Sequence, residues 1–280
     1  MQGLPDGLTP RTAAGRAGLA ALLARPAAAL VALDFDGTLA PIVADPSRAY
    51  AHPDAVAVLR RLGARFSLAV VTGRPAATAI ALGGFADVPG LDRLVVFGLY
   101  GAQRWDAATG TLTEHPPHPG IAGARRELPG VLASGARLAS GLEVEDKGQA
   151  LAVHTRNAAR PAEALAWLAD VLPALAGRHG LTAEAGRHVL ELRPPAADKG
   201  GALTAYATEL GAAAVLYAGD DLGDLAAFAA VAALRARGVA GVTVAVASTE
   251  APGPAEGADL VVASPAELLA LLAALAELAR

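Results

Sequence analysis

Short runs of apolar residues recur along the chain, and each breaks off at a polar or glycine-bearing turn. Residues 29–33 (ALVAL) run into Asp34, 66–71 (FSLAVV) into Thr72-Gly73-Arg74, 93–97 (RLVVF) into Gly98, and 214–218 (AVLYA) into Gly219-Asp220-Asp221; 242–246 (VTVAV) and 259–263 (DLVVA) follow. Continuous apolar runs of this length, without strict alternation, predict strands covered on both faces, as in a parallel sheet. Helical patterns at 53–62, 198–210, 222–236 and 265–279 supply the covers, and residues 9–25 predict an amphipathic helix ahead of the first strand. The pattern predicts an α/β fold around a Rossmann-like parallel sheet, in which polar function gathers at the C-terminal ends of the strands. Asp34, Thr72 and Asp220 all fall at that edge.

Residues from about 116 to 195 depart from this rhythm. The stretch 141–156 (GLEVEDKGQALAVHTR) predicts a hairpin with Gly148 near its turn, and 161–178 predicts a helix opening on Pro161, a favourable first-turn residue. A second hairpin, 181–194 (LTAEAGRHVLELRP), is predicted to turn at Ala185-Gly186. The order ββαββ is α+β and unlike its surroundings, so we expect a core of residues 1–115 and 196–280 with an inserted cap domain at 116–195. The proline-bearing stretches 115–119 (HPPHP) and 193–198 (RPPAAD) are the expected hinges.

Composition narrows the function classes. A net charge of −4 with no basic block argues against nucleic acid as a partner. The absence of cysteine excludes disulfides and thiolate chemistry and fits a reducing compartment. Arg25-Pro26 interrupts the N-terminal apolar stretch, and cleavage there would expose the first strand, so no signal peptide is expected. The Leu/Ala-rich C-terminus is too short to span a bilayer and carries Glu267 and Glu277. The expectation is a soluble cytoplasmic protein without a membrane partner.

Asp34 and Asp36 flank a single Phe, so an extended chain points both carboxylates to one side, where they repel. A hard dication would offset that repulsion, and Asp220, Asp221 and Asp224 could add oxygen ligands from a second strand end; such a set suits magnesium. No His or Cys cluster has zinc spacing. Thr72 follows a strand and precedes Gly73, so its hydroxyl and nearby N–H groups suit a phosphate oxygen. Lys199 opens a helix, where its ammonium and the helix N-terminus both favour an anion. Carboxylate nucleophile, metal, hydroxyl and ammonium together point to phosphoryl transfer.

This set resembles the haloacid dehalogenase superfamily. The motif D-x-D-G-T stands as Asp34-Phe35-Asp36-Gly37-Thr38, the strand-end hydroxyl as Thr72, the lysine as Lys199, and G-D-D-x-x-D as Gly219-Asp220-Asp221-Leu222-Gly223-Asp224. The resemblance implies that Asp34 attacks phosphorus, that Asp36 is the general acid and base, and that Asp34, the backbone carbonyl of Asp36, and Asp220 hold Mg2+. Asp221 and Asp224 would orient metal waters or Lys199.

Within the superfamily the chain is most similar to the trehalose-6-phosphate phosphatases. Glu145-Asp146-Lys147 and His154-Thr155-Arg156 match that family's E-x-K and H-x-R, and Gly186-Arg187 through Glu191, Arg193-Pro194 and Lys199-Gly200 match G-K-x-x-x-E-x-R-P-x-x-x-x-K-G. Thr72-Gly73-Arg74 stands for its S-G-R. The implied substrate set is Gly73 and Arg74 on the core, with Glu145, Lys147, Arg156 and Glu191 on a cap that closes over a sugar phosphate. Functional coupling to a trehalose-6-phosphate synthase would follow. Three motifs depart: Gly98-Leu99-Tyr100-Gly101 replaces G-N-H-G, Gly223 and Leu225 stand where Thr and Glu are common, and Arg187 replaces a Lys. Phosphatases of sucrose phosphate or of glucosyl- or mannosylglycerate phosphate remain open readings, as does a non-catalytic sugar-phosphate-binding partner of a synthase.

Overall fold

The run 29–33 forms β1 (Ala29–Leu33), and all of its residues are buried, as expected of a strand with a layer on each side. The computed structural model describes residues 7–186, 188–195, 198–247 and 253–279. Around β1 lie α1 (Ala13–Ala24), α2 (Ala55–Gly63), β2 (Ser67–Val71), α3 (Ala76–Gly83), β3 (Leu94–Gly98), β4 (Gln103–Asp106) and β5 (Thr111–Glu114). Next come α4 (Pro119–Ala133), β6 (Glu143–Asp146), β7 (Leu151–His154), α5 (Pro161–Arg178), β8 (Thr182–Gly186) and β9 (Val189–Arg193). The last stretch holds α6 (Lys199–Glu209), β10 (Ala214–Gly219), α7 (Leu225–Ala236), β11 (Ala240–Val246), α8 (Gly253–Gly257), β12 (Leu260–Val262) and α9 (Pro265–Leu278). Two compact units result: Met1–Glu114 with Asp198–Arg280, and His115–Ala197.

The first unit is built on a sheet of order β12-β11-β10-β1-β2-β3-β4-β5. The first six of these strands are parallel, while β4 and β5 are antiparallel. Val31 and Leu33 pack with Leu19 and Leu22 of α1, Leu59 and Leu62 of α2, and Leu272 of α9. Leu30 and Ala32 pack on the other face with Leu203 of α6 and Phe228 and Val231 of α7. This two-sided burial explains why the strand sequences read as unbroken apolar runs. Leu33 pairs with Ala218 of β10 and with Val70 of β2, so Asp34, Thr72 and Asp220 emerge at the same edge of the sheet. At β12 and β11, Asp259 accepts from Thr243 N–H and hydroxyl and from Arg235 and Thr12, tying α1 to the sheet.

The second unit has an antiparallel sheet of order β6-β7-β9-β8. Its apolar face, with Leu151, Val153, Leu190 and Leu192, packs on Ile121 and Leu128 of α4 and on Leu168, Leu172 and Leu175 of α5. The opposite face carries the polar alternates.

Several expectations are corrected. The second hairpin does not turn at Ala185-Gly186: β8 continues through Gly186, which pairs with Val189; Arg187 lies outside the described residues, as do residues 196–197 of the expected second hinge. Strand alternation at i and i+2 would set His154 and Arg156 on one face, but β7 ends at His154 and the bond from Ala158 N–H to Thr155 C=O bends the chain there. The unit also begins with α4, which Pro119, Gly120, Gly123, Pro129 and Gly130 disguise as loop. Likewise, α3 and the β4–β5 hairpin went unpredicted.

Candidate active site

Where β1 ends, Asp34 is buried, 3% exposed, and its N–H donates to Ala218 C=O of β10. The chain then folds back on itself, with Leu39 and Ala40 N–H groups both donating to Phe35 C=O and Gly37 N–H donating to Ala40 C=O. Gly37 has φ +77°, and the Asp220 carboxylate lies so close that any Cβ at position 37 would collide with it. That glycine lets the two acidic strand ends approach.

Lys199 arrives from α6, whose N-cap Asp198 accepts from Gly201 N–H at 2.7 Å. Its Nζ is 2.8 Å from Asp34 Oδ1, 2.8 Å from Asp224 Oδ1 and 3.8 Å from Asp221 Oδ1. Asp224 is saturated. Its Oδ1 also accepts from Tyr217 OH at 2.7 Å, and its Oδ2 accepts from the N–H groups of Asp220 and Asp221 at 2.9 and 3.0 Å. Burial opposes the charge of Lys199, but Asp224 and Asp34 override it and hold the ammonium pKa well above its ordinary value. Asp224 is likewise kept below the usual carboxylate range, with Lys199 and its donated bonds outweighing burial. The lysine is therefore a fixed, permanently charged post beside Asp34.

Asp34 feels the opposite balance: burial, reinforced by Asp224, Asp221 and Asp220, pushes its carboxyl up although Lys199 pulls it down. Burial, with Asp221 and Asp224, pushes Asp220 up to about 8. Two acids that resist ionising side by side would ionise readily with a cation between them. The donor set fits one. Asp34, Asp220 and Asp224 present carboxylate oxygens all within 4.8 Å of one another. Asp220 Oδ1 is buried with no hydrogen-bond partner among the described residues. Since Asp224 spends both oxygens on donors, Asp34 and Asp220 are the side chains able to hold a hard divalent ion.

Thr72 is buried, and its Oγ1 accepts from Arg74 N–H at 3.1 Å. Arg74 forks onto Asp36, Nε to Oδ2 and Nη2 to Oδ1, both at 2.6 Å, with its guanidinium 5.9 Å from the Phe35 ring centre. The Asp36 carboxylate thus faces Arg74. The expected core residues Asp34, Asp36, Thr72, Gly73, Arg74, Lys199 and Asp220 fall on neighbouring strand ends or the first residue of α6. Sequence reasoning missed Tyr217, whose hydroxyl is the one polar atom in its strand's side chains.

In the second unit, Glu145, Ala152, Glu191 and Glu184 stand in one cross-strand row on the polar face. Lys147 Nζ lies 3.2 Å from Glu191 Oε2, His154 Nε2 lies 3.0 Å from Glu145 Oε2, and Arg193 bridges Glu184. Glu145, Lys147 and Glu191 are thereby brought together. Arg156 is exposed, in the turn beyond β7.

A parallel sheet with this acidic C-terminal edge, a lysine at the start of the following helix and a small antiparallel unit inserted between them is a haloacid dehalogenase-like fold. The C-terminal domain of a Candida albicans trehalose-6-phosphate phosphatase superposes with a TM-score of 0.73 at 19% identity, covering 98% of this chain and 99% of that one. A family model described as trehalose-phosphatase matches residues 32–263, and the chain belongs to the trehalose-phosphatase family. A trehalose-phosphate phosphatase of Mycobacterium tuberculosis is 34% identical over 241 residues, which cover 81% of this chain and 53% of that protein. A protein of the same organism named as an uncharacterized glycosyl hydrolase is 36% identical over 213 residues, covering 72% of this chain and 15% of its own length. The chain thus spans about half the length of that phosphatase and a small part of the glycosyl hydrolase.

Proposed function

We propose that the chain is a magnesium-dependent phosphatase that hydrolyses trehalose 6-phosphate to trehalose and phosphate through an aspartyl-phosphate on Asp34. The observation that carries the reading is Lys199 Nζ, buried at 2.8 Å from both Asp34 and Asp224, in a chain of the trehalose-phosphatase family. A carboxylate oxygen of Asp34 attacks phosphorus while the bond to the sugar oxygen breaks, and Asp36 gives that oxygen its proton. Asp36 must first exchange Arg74 for the leaving oxygen. It then takes a proton from water, whose oxygen attacks phosphorus; the bond to Asp34 breaks and phosphate leaves.

Thr72 already accepts from Arg74 N–H, so its own O–H is the part left to donate to a phosphoryl oxygen. Lys199 fixes Asp34 in place and offsets charge gathering at the phosphoryl group. Magnesium, held by Asp34, Asp220 and the Asp36 carbonyl, would neutralise phosphoryl oxygens. Gly73 and Arg74 line the phosphate loop. Sugar recognition falls to the second unit, where Glu145 and Glu191 accept from hydroxyls and Lys147 and Arg156 donate.

Phosphate release from a panel of sugar phosphates at equal concentration, with magnesium or with a chelator, tests this. Preference for trehalose 6-phosphate, lost on chelation, is the expected result. Equal rates across the panel would leave a general sugar phosphatase, a second reading favoured by Leu99-Tyr100 in the loop after β3. No release from any ester would leave a non-catalytic sugar-phosphate-binding partner of a synthase.

A further inference from the structure

The loop after β3 holds two consecutive non-glycine residues in the left-handed region, Leu99 at φ 49° and Tyr100 at φ 58°, ψ 31°. A Cβ opposes this conformation, and it persists only where the surroundings over-determine it. The surroundings here are the phosphate loop: Leu99 N–H donates to Arg74 C=O at 2.9 Å and Tyr100 N–H to Thr72 C=O at 3.0 Å. The side chain follows the backbone. A Cβ placed on Gly73 would stand 2.7 Å from the Tyr100 hydroxyl and 2.8 Å from the ring carbon bearing it. It is therefore the phenolic end of the half-buried ring, not its flank alone, that occupies the space Gly73 leaves open. The hydroxyl thus lies beside Gly73, the residue between Thr72 and Arg74 in the sequence.

We propose that Tyr100 is a further substrate-binding residue, whose hydroxyl donates a hydrogen bond to a non-bridging oxygen of the phosphoryl group held by the Thr72–Arg74 loop. Its left-handed backbone is what delivers the hydroxyl there, and Gly73 is the space it requires. The proposal rests on the phosphatase reading and adds a second hydroxyl to the phosphate loop beside Thr72.

Tyr100→Phe removes the hydroxyl and keeps the ring; Tyr100→Gly removes the ring and suits the backbone. Each is compared with the unaltered protein for KM and kcat on trehalose 6-phosphate and p-nitrophenyl phosphate. Calorimetric binding of inorganic phosphate in magnesium and the thermal midpoint complete the set. In Tyr100→Phe, KM for both esters and Kd for inorganic phosphate should rise together by about tenfold, the worth of a bond to a charged oxygen. The midpoint reports any structural part the hydroxyl also plays, and Tyr100→Gly should weaken phosphate to a similar degree. Phosphate affinity within about twofold of the unaltered protein in Tyr100→Phe would overturn the proposal and leave the ring as packing for Gly73. A rise in KM confined to trehalose 6-phosphate would overturn it as well, since the hydroxyl would then meet the sugar. If the unaltered protein hydrolyses no ester, the phosphatase reading fails, while the inorganic phosphate titration still decides the role of Tyr100.

Discussion

The only two lysines of the chain stand in contrasting surroundings. Lys199 is enclosed at a strand edge between Asp34 and Asp224, both at 2.8 Å, and Asp224 is itself saturated by Tyr217 and two backbone N–H groups. Lys147, also little exposed, pairs with Glu191 at 3.2 Å on a polar sheet face where His154 and Glu145 are half-exposed. The first arrangement is rigid because Asp224 is already committed on both oxygens and pins Lys199 beside Asp34, so its geometry is set before any ligand arrives. The second holds an enclosed ion pair that a bound sugar would have to replace with its own hydroxyls. Changes at the strand edge should therefore strike every phosphate ester alike, and changes on the sheet face should discriminate among them.

The largest effect is expected from Asp34→Asn, which removes the proposed nucleophile but keeps the shape. Turnover should fall by about a thousandfold or more on every ester, with the far-ultraviolet circular dichroism unchanged; comparable activity would sink a covalent route through Asp34. Lys199→Arg comes next. A planar fork cannot replace one nitrogen shared by two carboxylates, and we expect a loss of about a hundredfold on all esters. Removing the charge altogether, as in Lys199→Met, leaves buried acids unpaired and should destabilise the fold by about 3–5 kcal/mol in urea unfolding. Lys147→Ala should lower kcat/KM on trehalose 6-phosphate by about tenfold while p-nitrophenyl phosphate changes little. Equal losses on both esters would erase the contrast between the two lysines.

A smaller effect concerns magnesium and pH. Asp34 and Asp220 carry folded-state pKa values above the unfolded carboxylate value, Asp220 at about 8. The folded chain then binds more protons at these acids than the unfolded chain, so their contribution to stability falls as pH rises from the acid range through 8. A dication replaces those protons. The rise in thermal midpoint on adding magnesium should grow between pH 6 and pH 9 by a few degrees; a magnesium shift that is flat with pH would contradict a cation site at these two carboxylates.

Much of the core was legible because a parallel sheet imprints itself directly: each buried strand is an apolar run, and the polar residue that ends the run is the one at the functional edge. Asp34, Thr72 and Asp220 were located that way. Tyr217 was hidden because a buried hydroxyl inside such a run looks like one more apolar side chain. A signal for the two lysines did exist. Arginine serves as the basic side chain elsewhere, so the only two lysines stand out as Lys147 and Lys199. The second unit was less legible. Prolines and glycines masked α4, which tolerates Pro119 at its first turn and Pro129 inside because tertiary packing of Ile121, Ala124 and Leu128 holds it. Period-two reasoning carried His154 and Arg156 onto one face only by assuming a strand that had already ended.

The division of labour between the two regions is tested most directly by one ratio, kcat/KM on trehalose 6-phosphate over kcat/KM on p-nitrophenyl phosphate. It is measured in the unaltered protein, in Lys199→Arg and in Glu191→Gln. Chemistry at the strand edge and recognition on the sheet face predict that Lys199→Arg lowers both rates and keeps the ratio, whereas Glu191→Gln lowers the ratio by about tenfold or more. A ratio that falls equally in both variants, or that survives Glu191→Gln, would contradict it.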